Sequence, residues 1–248
     1  IRSQHSGGSC STAREVEAQK IMRPTVLPSL PSGARLHVAS PGWSGKLGTG
    51  GRVWPGAAAM CQLLLSMRSE VAGSAVLELG CGAGGVGIYS AALGAQRVLL
   101  TDGGQGECDL ATLNVRRHKY LYSRGASVRS MLFLWGEPVD ALMAGGGFDF
   151  VVGADITYSV PLLPPLCDTF AALSEASSAR DVPPTMLLSH QINREGESDI
   201  PKLLALVASG RGLHVSRLEI PSFVAATHPN VAFYAIQKGG HVSAGSAP

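Results

Sequence analysis

Val76-Leu77-Glu78-Leu79-Gly80-Cys81-Gly82-Ala83-Gly84-Gly85 is the stretch that decides the fold. A short apolar run, suited to a buried strand, carries one acid and runs into a cluster of glycines. Val86 to Gly94 then reads as the start of a helix. A glycine-rich turn between a strand and a helix lets a ligand approach the backbone, because no Cβ stands in the way. It also leaves backbone N–H groups at the positive end of a helix. The stretch therefore predicts a nucleotide or nucleoside site, and the ligand must be chosen from the rest of the chain.

Downstream of the turn, Arg97 to Asp102 reads as a second buried strand ending in an acid, followed by a helix over Glu107 to His118. Val128 to Trp135 is a third strand, Phe148 to Ile156 a fourth and Thr185 to Gln191 a fifth. Helices are predicted over Leu162 to Ser177 and Ile200 to Ser209. His214 to Ile220 and Val231 to Gln237 read as a final antiparallel pair with little room for a helix between them. Upstream, Arg35 to Ala39 suits a short strand. Pro41 to Gly51, with five glycines in eleven residues, is a loop by composition. Ala57 to Val71 looks helical, with Pro55 just before it, where proline suits a helix start. Strands alternating with helices predict an α/β, doubly wound, mostly parallel sheet with an antiparallel C-terminal strand pair. Residues 1–33, rich in Ser, Gly and Pro, are expected to form a mobile leader, with a short helical piece around Ala13 to Met22. Residues 34–238 are expected to form one domain and 239–248 a tail.

Composition sets outer limits. The 248 residues can bury a substantial core, and 45% of them are hydrophobic. Twenty basic and eighteen acidic residues leave a net charge of +2, too balanced for a nucleic-acid or anionic-membrane surface. The five cysteines are scattered without a C-x-x-C pair, which suggests neither a disulfide framework nor a metal site and fits free thiols in a reducing compartment. No apolar run reaches the roughly 18 residues of a membrane span. A cytoplasmic monomer is the default expectation.

Gly80, Gly82 and Gly85 satisfy G-x-G-x-x-G, a weak signal by itself that also fits NAD. Asp102 lies 22 residues after Gly80, where an acid can accept hydrogen bonds from ribose hydroxyls of either ligand. Glu78 tilts the choice. A carboxylate beside the turn would repel a pyrophosphate and attract a ligand bearing an ammonium and a sulfonium. Trp54 and Trp135 could each cover an adenine. Asp155 and Tyr158, in Gly153-Ala154-Asp155-Ile156-Thr157-Tyr158, face the place where a group beyond the cofactor must sit. Each has a plainer reading: Glu78 as a helix-capping partner, Trp135 as packing, Asp155 as a helix cap, Tyr158 as core.

Taken together, these residues resemble class I S-adenosylmethionine-dependent methyltransferases, and more narrowly methyltransferase family 16, the seven-strand protein lysine methyltransferases. The matching pieces are Val53-Trp54-Pro55, Leu77 to Gly84, Thr101-Asp102, Leu134-Trp135-Gly136 and Asp155-Ile156-Thr157-Tyr158. They are collinear over roughly Gly50 to Lys238. Thr101-Asp102-Gly103 looks more like the branch with the calmodulin and elongation factor 2 lysine methyltransferases than the branch acting on Hsp70-type chaperones. Ser189-His190-Gln191-Ile192-Asn193-Arg194, running out of the fifth strand, is not a pattern tied to one substrate.

The resemblance implies a Rossmann-like seven-strand fold that binds S-adenosyl-L-methionine and releases S-adenosyl-L-homocysteine. It implies that Gly80, Gly82 and Gly84 hug the methionine part, Glu78 sits near its ammonium, and Asp102 holds the ribose. Trp135 would cover the adenine, Trp54 would close the pocket, and the Ala154 backbone would line the methyl-donor end. Asp155 and Tyr158 would act at the acceptor, Asp155 orienting the amine. The expected reaction is methyl transfer to a lysine of a non-histone protein. Competing expectations are a histidine or small-molecule acceptor, a catalytically inactive interaction protein and an NAD-linked oxidoreductase.

Overall fold

The computed structural model describes residues 22–41, 49–177, 183–192 and 199–239. The core is a seven-stranded sheet. It contains β3 (Ala75–Leu79), β4 (Arg97–Asp102), β5 (Ser127–Leu132), β6 (Phe150–Ala154), β7 (Thr185–Gln191), β8 (Leu213–Arg217) and β9 (Val231–Lys238). Their order is β5-β4-β3-β6-β7-β9-β8. The pairs from β5 through β7 are parallel, and β9 runs antiparallel to both β7 and β8. The chain winds outward from β3 in both directions. This reversal opens a crevice at the carboxyl ends of the central strands.

The strands alternate strictly between two buried faces. Val76, Val98, Leu100 and Val152 join one apolar cluster; Leu77, Leu79, Leu99 and Val151 join the other. Apolar runs without polar alternation suit strands covered on both sides. The first face is covered by α1 (Pro55–Ser66), α3 (Gly85–Ala92), α4 (Gln105–Arg117) and the short α8 (Ser222–Thr227). The second is covered by α5 (Asp140–Met143), α6 (Leu163–Ala176) and α7 (Ile200–Ser209). Leu166, Phe170 and Leu173 of α6 recur at fours and threes and are buried.

Three expectations change, and a fourth falls almost wholly outside the described residues. Residues 22–33 are not a mobile leader: β1 (Met22–Val26) pairs antiparallel with β2 (His37–Pro41), and Leu27 and Leu30 join the first core cluster. Spacing gave no warning, because the burial of Leu27 and Leu30 depends on a distant helix and not on local period. Residues 13–21 of the expected helical piece lie outside the described residues, and Met22 begins a strand. The helix read over Ala57 to Val71 breaks at Met67 into α1 and α2 (Arg68–Val71). Between the last two strands α8 does form, anchored by the buried Val224.

Candidate active site

Three carboxylates stand at the carboxyl ends of adjacent strands, and each accepts backbone N–H groups. Glu78, the only acid in β3, points to the first face. Its Oε2 accepts the N–H of Gly87 at 2.8 Å in the first turn of α3. That helix has no side-chain cap from its own N-cap residue, Gly84. Asp102 ends β4. Its Oδ2 accepts from Gly82 at 2.8 Å and its Oδ1 from Gly104 at 3.2 Å. Asp155 follows β6. Its Oδ2 accepts from Gly56 of α1 at 2.7 Å and its Oδ1 from Gln191 at 2.8 Å. An anion suits these places, because the first N–H groups of a helix lack partners and lie at its positive end.

The acids pay differently for burial. Glu78 is only 3% exposed, and burial pushes its carboxyl up to about 8, against the downward pull of the Gly87 and Val86 N–H groups. The nearby Asp102 raises it further. Burial also raises Asp102, which the N–H groups of Gly82, Gly104 and Gly103 oppose. A cation beside this pair would favour both ionised forms.

These groups surround one cavity of about 770 Å³ at the crevice. Its floor is the turn from Gly80 to Gly82. Gly82 has φ +50°, and a Cβ there would run into the carbonyl of Gly50. The Thr49–Trp54 segment therefore lies across the turn. Trp54 donates its Nε1–H to the carbonyl of Thr49 at 3.1 Å, and the Arg52 guanidinium stands 5.0 Å from its ring. Trp135 forms the opposite wall, its ring edge against Gly80. Ala154, Asp155, Ile156 and Tyr158 line the remaining end.

Nine of the ten residues singled out from the sequence thus meet at one cavity. The exception is Gly84. It sits behind the turn, and a Cβ there would fall 2.7 Å from Leu100 Cδ2. It packs α3 closely on β4 and is not among the residues that line the cavity. Trp135 lies three residues beyond β5, which ends at Leu132, and not within the strand as read from the sequence. Tyr158 is not core: it is half exposed at the cavity mouth.

Some lining residues went unread. Glu107, in the first turn of α4, lines the cavity with its carboxylate wedged between Gly50 and Gly104. Its signal was available: an acid three residues past a glycine pair at a helix start. Arg52 and Thr49 belong to a glycine-rich loop that carries no periodic signal. Ile156 reads as the tail of a strand.

Comparison with known proteins points to a family. Residues 42–205 match the family described as "Lysine methyltransferase". The chain is 35% identical over 151 residues to the Protein N-lysine methyltransferase METTL21A of Danio rerio, covering 60% of this chain and 64% of that protein. It is 33% identical over 129 residues to the EEF1A lysine methyltransferase 3 of Mus musculus, covering 52% of each. These matches span between about half and two thirds of the relatives' lengths. Among solved structures, the T. thermophilus 16S rRNA N2 G1207 methyltransferase in complex with AdoMet and guanosine shares the fold. The TM-score is 0.54 at 17% identity, covering 88% of this chain and 51% of that one. The fold, the ordered motifs and the family match together place the chain in the lysine methyltransferase family.

Proposed function

We propose that this protein is an S-adenosyl-L-methionine-dependent methyltransferase that transfers a methyl group to a lysine of a non-histone protein. The observation that carries the reading is the pairing of a Cβ-free turn with two carboxylates, the buried Glu78 and the partly buried Asp102, on the floor of one cavity. A pyrophosphate there would be repelled by Asp102 and would hold Glu78 in the neutral form that burial already favours. A ligand with an ammonium and a sulfonium would favour the ionised form of both acids, so the donor set fits S-adenosyl-L-methionine and disfavours NAD.

In this reading Glu78 holds the ammonium of the methionine part, Asp102 the ribose hydroxyls, Trp135 covers the adenine and Trp54 closes the cavity. Gly80 and Gly82 admit the ligand to the backbone, and the Ala154 backbone lines the donor end. When bound, the cofactor supplies an electrophilic methyl on a cationic sulfur. The residues of the chain then have three tasks at the acceptor. They align the amine with that methyl, which by itself is a large share of catalysis. They exclude water: Leu134, Tyr158 and Leu162 line the mouth with apolar surface. They lower the basicity of the incoming amine, since a free lysine with pKa ~10.4 enters as an ammonium and desolvation favours its neutral form. Tyr158 stays protonated, because burial, then Asp102 and Glu107, raise its phenol above the ordinary value. It serves as an aromatic wall and hydrogen-bonding group beside the amine, not as a phenolate base.

A protein acceptor is supported by the names of the relatives, METTL21A and EEF1A lysine methyltransferase 3. The Thr101-Asp102-Gly103 triplet does not choose among acceptors, because the Asp102 carboxylate and the Gly103 and Gly104 backbone serve the turn itself. A cytoplasmic monomer belongs to the same reading. The burial of Cys61, Cys81, Cys108 and Cys167 as free thiols supports only its reducing compartment and does not bear on the oligomeric state.

Calorimetric titration with S-adenosyl-L-homocysteine and, separately, NAD tests the reading on wild type and Asp102→Ala. Binding of S-adenosyl-L-homocysteine that weakens in the variant, with no NAD heat, is the expected result and leads to a labelled-methyl screen of cell extracts. NAD binding, or silence from both ligands, would sink it.

A further inference from the structure

In the family pattern Asp155 opens the acceptor motif and is expected to orient the amine. We propose instead that Asp155 is a positioning residue. It fastens the N-terminus of α1, and with it Trp54, to the acceptor loop, and leaves the acceptor to Tyr158. The proposal rests on the methyltransferase reading for the identity of the ligand, and on hydrogen bonds for everything else.

Helix α1 begins without a local cap. Its N-cap residue is Trp54, which makes no side-chain cap bond, and Pro55 contributes no N–H. The first N–H left to satisfy is that of Gly56. It is taken by Asp155 Oδ2 at 2.7 Å, 99 residues away in sequence. The other oxygen, Oδ1, takes the N–H of Gln191 at the end of β7 at 2.8 Å. The main chain repeats the junction: the Asp155 N–H donates to the Ser189 carbonyl at 2.9 Å. Ser189 Oγ in turn donates to the carbonyl of Gly56 at 2.9 Å. His190 Nδ1 lies 2.9 Å from Thr157 Oγ1 and secures the loop between Asp155 and Tyr158. The Ser189-His190-Gln191 stretch thus finds its use in holding the acceptor loop.

Two further features show that the site is built around this carboxylate. Asp155 has φ +54°, the one left-handed non-glycine among the described residues, a conformation Asp tolerates better than most. A Cβ at Gly56 would fall 2.6 Å from Asp155 Oδ2, so residue 56 gives way to the acid. A carboxylate whose two oxygens each hold a backbone N–H, in a site 5% exposed, is built into the junction between α1 and the end of β7. Its pull is exerted on Gly56, and two residues upstream Trp54 forms one wall of the cavity.

The test uses the full chain. Asp155→Ala and Asp155→Asn are titrated with S-adenosyl-L-homocysteine. The same changes are made in a Trp43→Phe, Trp135→Phe background, where the indole emission comes from Trp54 alone. Asp155→Ala is expected to weaken S-adenosyl-L-homocysteine about tenfold or more and to shift Trp54 emission to the red. Asp155→Asn, which keeps one acceptor oxygen, should fall between wild type and Ala in both readouts. If Asp155→Ala fails to fold, Gly56→Ala displaces the carboxylate from the other side and should shift Trp54 emission in the same direction. Parental affinity and parental Trp54 emission in Asp155→Ala, with labelled-methyl transfer lost, would overturn the proposal and return Asp155 to the amine. A wild-type protein that binds no S-adenosyl-L-homocysteine would overturn the methyltransferase reading. The emission of Trp54 would still decide the junction.

Discussion

Glu78 is buried on the sheet, yet it must be an anion when a cationic ligand arrives. Burial holds its carboxyl at about 8, above the ordinary value of 4.5, so the folded protein keeps a proton that the unfolded chain releases. The sign follows from linkage: this contribution to stability is full below pH ~4.5 and is lost as pH rises through about 8. The ligand-free protein should therefore lose thermal stability between pH ~4.5 and about 8, and Glu78→Gln should flatten that slope. A set of melting curves across pH, wild type against variant, checks it; parallel slopes would contradict the assignment. Gly82 makes a different residue-scale prediction. Gly82→Ala pays about 1–2 kcal/mol for its left-handed backbone and also forces the Gly50 carbonyl off the turn. Stability by urea titration should fall by at least that amount, and S-adenosyl-L-homocysteine affinity should drop with it.

At the scale of elements, the N-terminal hairpin is tied to the turn by one side chain. Asn114, fully buried in α4, accepts from the Ala39 N–H at 3.0 Å. Its Nδ2 donates to the carbonyls of Ala39 and Ala83, each at 2.9 Å. The amide acts as an extra strand partner for β2 while it grips the glycine turn. Asn114→Ala strands these three backbone groups in the core and should cost about 2–4 kcal/mol in a urea titration. A loss under ~1 kcal/mol would mean that the hairpin is held by its apolar contacts, Leu27, Leu36 and Val38, and not by Asn114. The strand order explains why the cavity lies where it does. The acids of β3, β4 and β6 end on one edge because those strands are parallel and adjacent. The same polarity presents the N-termini of α1 and α3 to them.

For the molecule as a whole, binding and folding are one equilibrium. S-adenosyl-L-homocysteine at 100 times its dissociation constant should add about 2.7 kcal/mol of stability, and the melting temperature should keep rising with ligand concentration. NAD should add nothing, and Asp102→Ala should lose most of the shift at fixed ligand. Differential scanning fluorimetry on the three samples reads this directly. A shift that survives Asp102→Ala undiminished would move the binding site elsewhere.

The amino-acid sequence by itself determined the alternation of strands and helices, the reversed final pair and nine of the residues that line the cavity. Those signals are local: an apolar run that turns into glycines, an acid at a strand end, a tryptophan before a proline. They are written in neighbouring residues because strand polarity and turn geometry are local properties of the backbone. What only the tertiary structure decided is what each acid does there. Glu78, Asp102 and Asp155 read alike as ligand-facing carboxylates. Each proves to be a partner for backbone N–H groups, on a helix or turn 9, 20 and 99 residues away respectively. The hairpin at 22–41 was hidden for the same reason: its anchors, Leu27 and Asn114, gain their meaning only where distant segments meet. A hydrogen bond or a buried contact between such segments leaves no period and no spacing in the chain, and folding alone brings its two ends together.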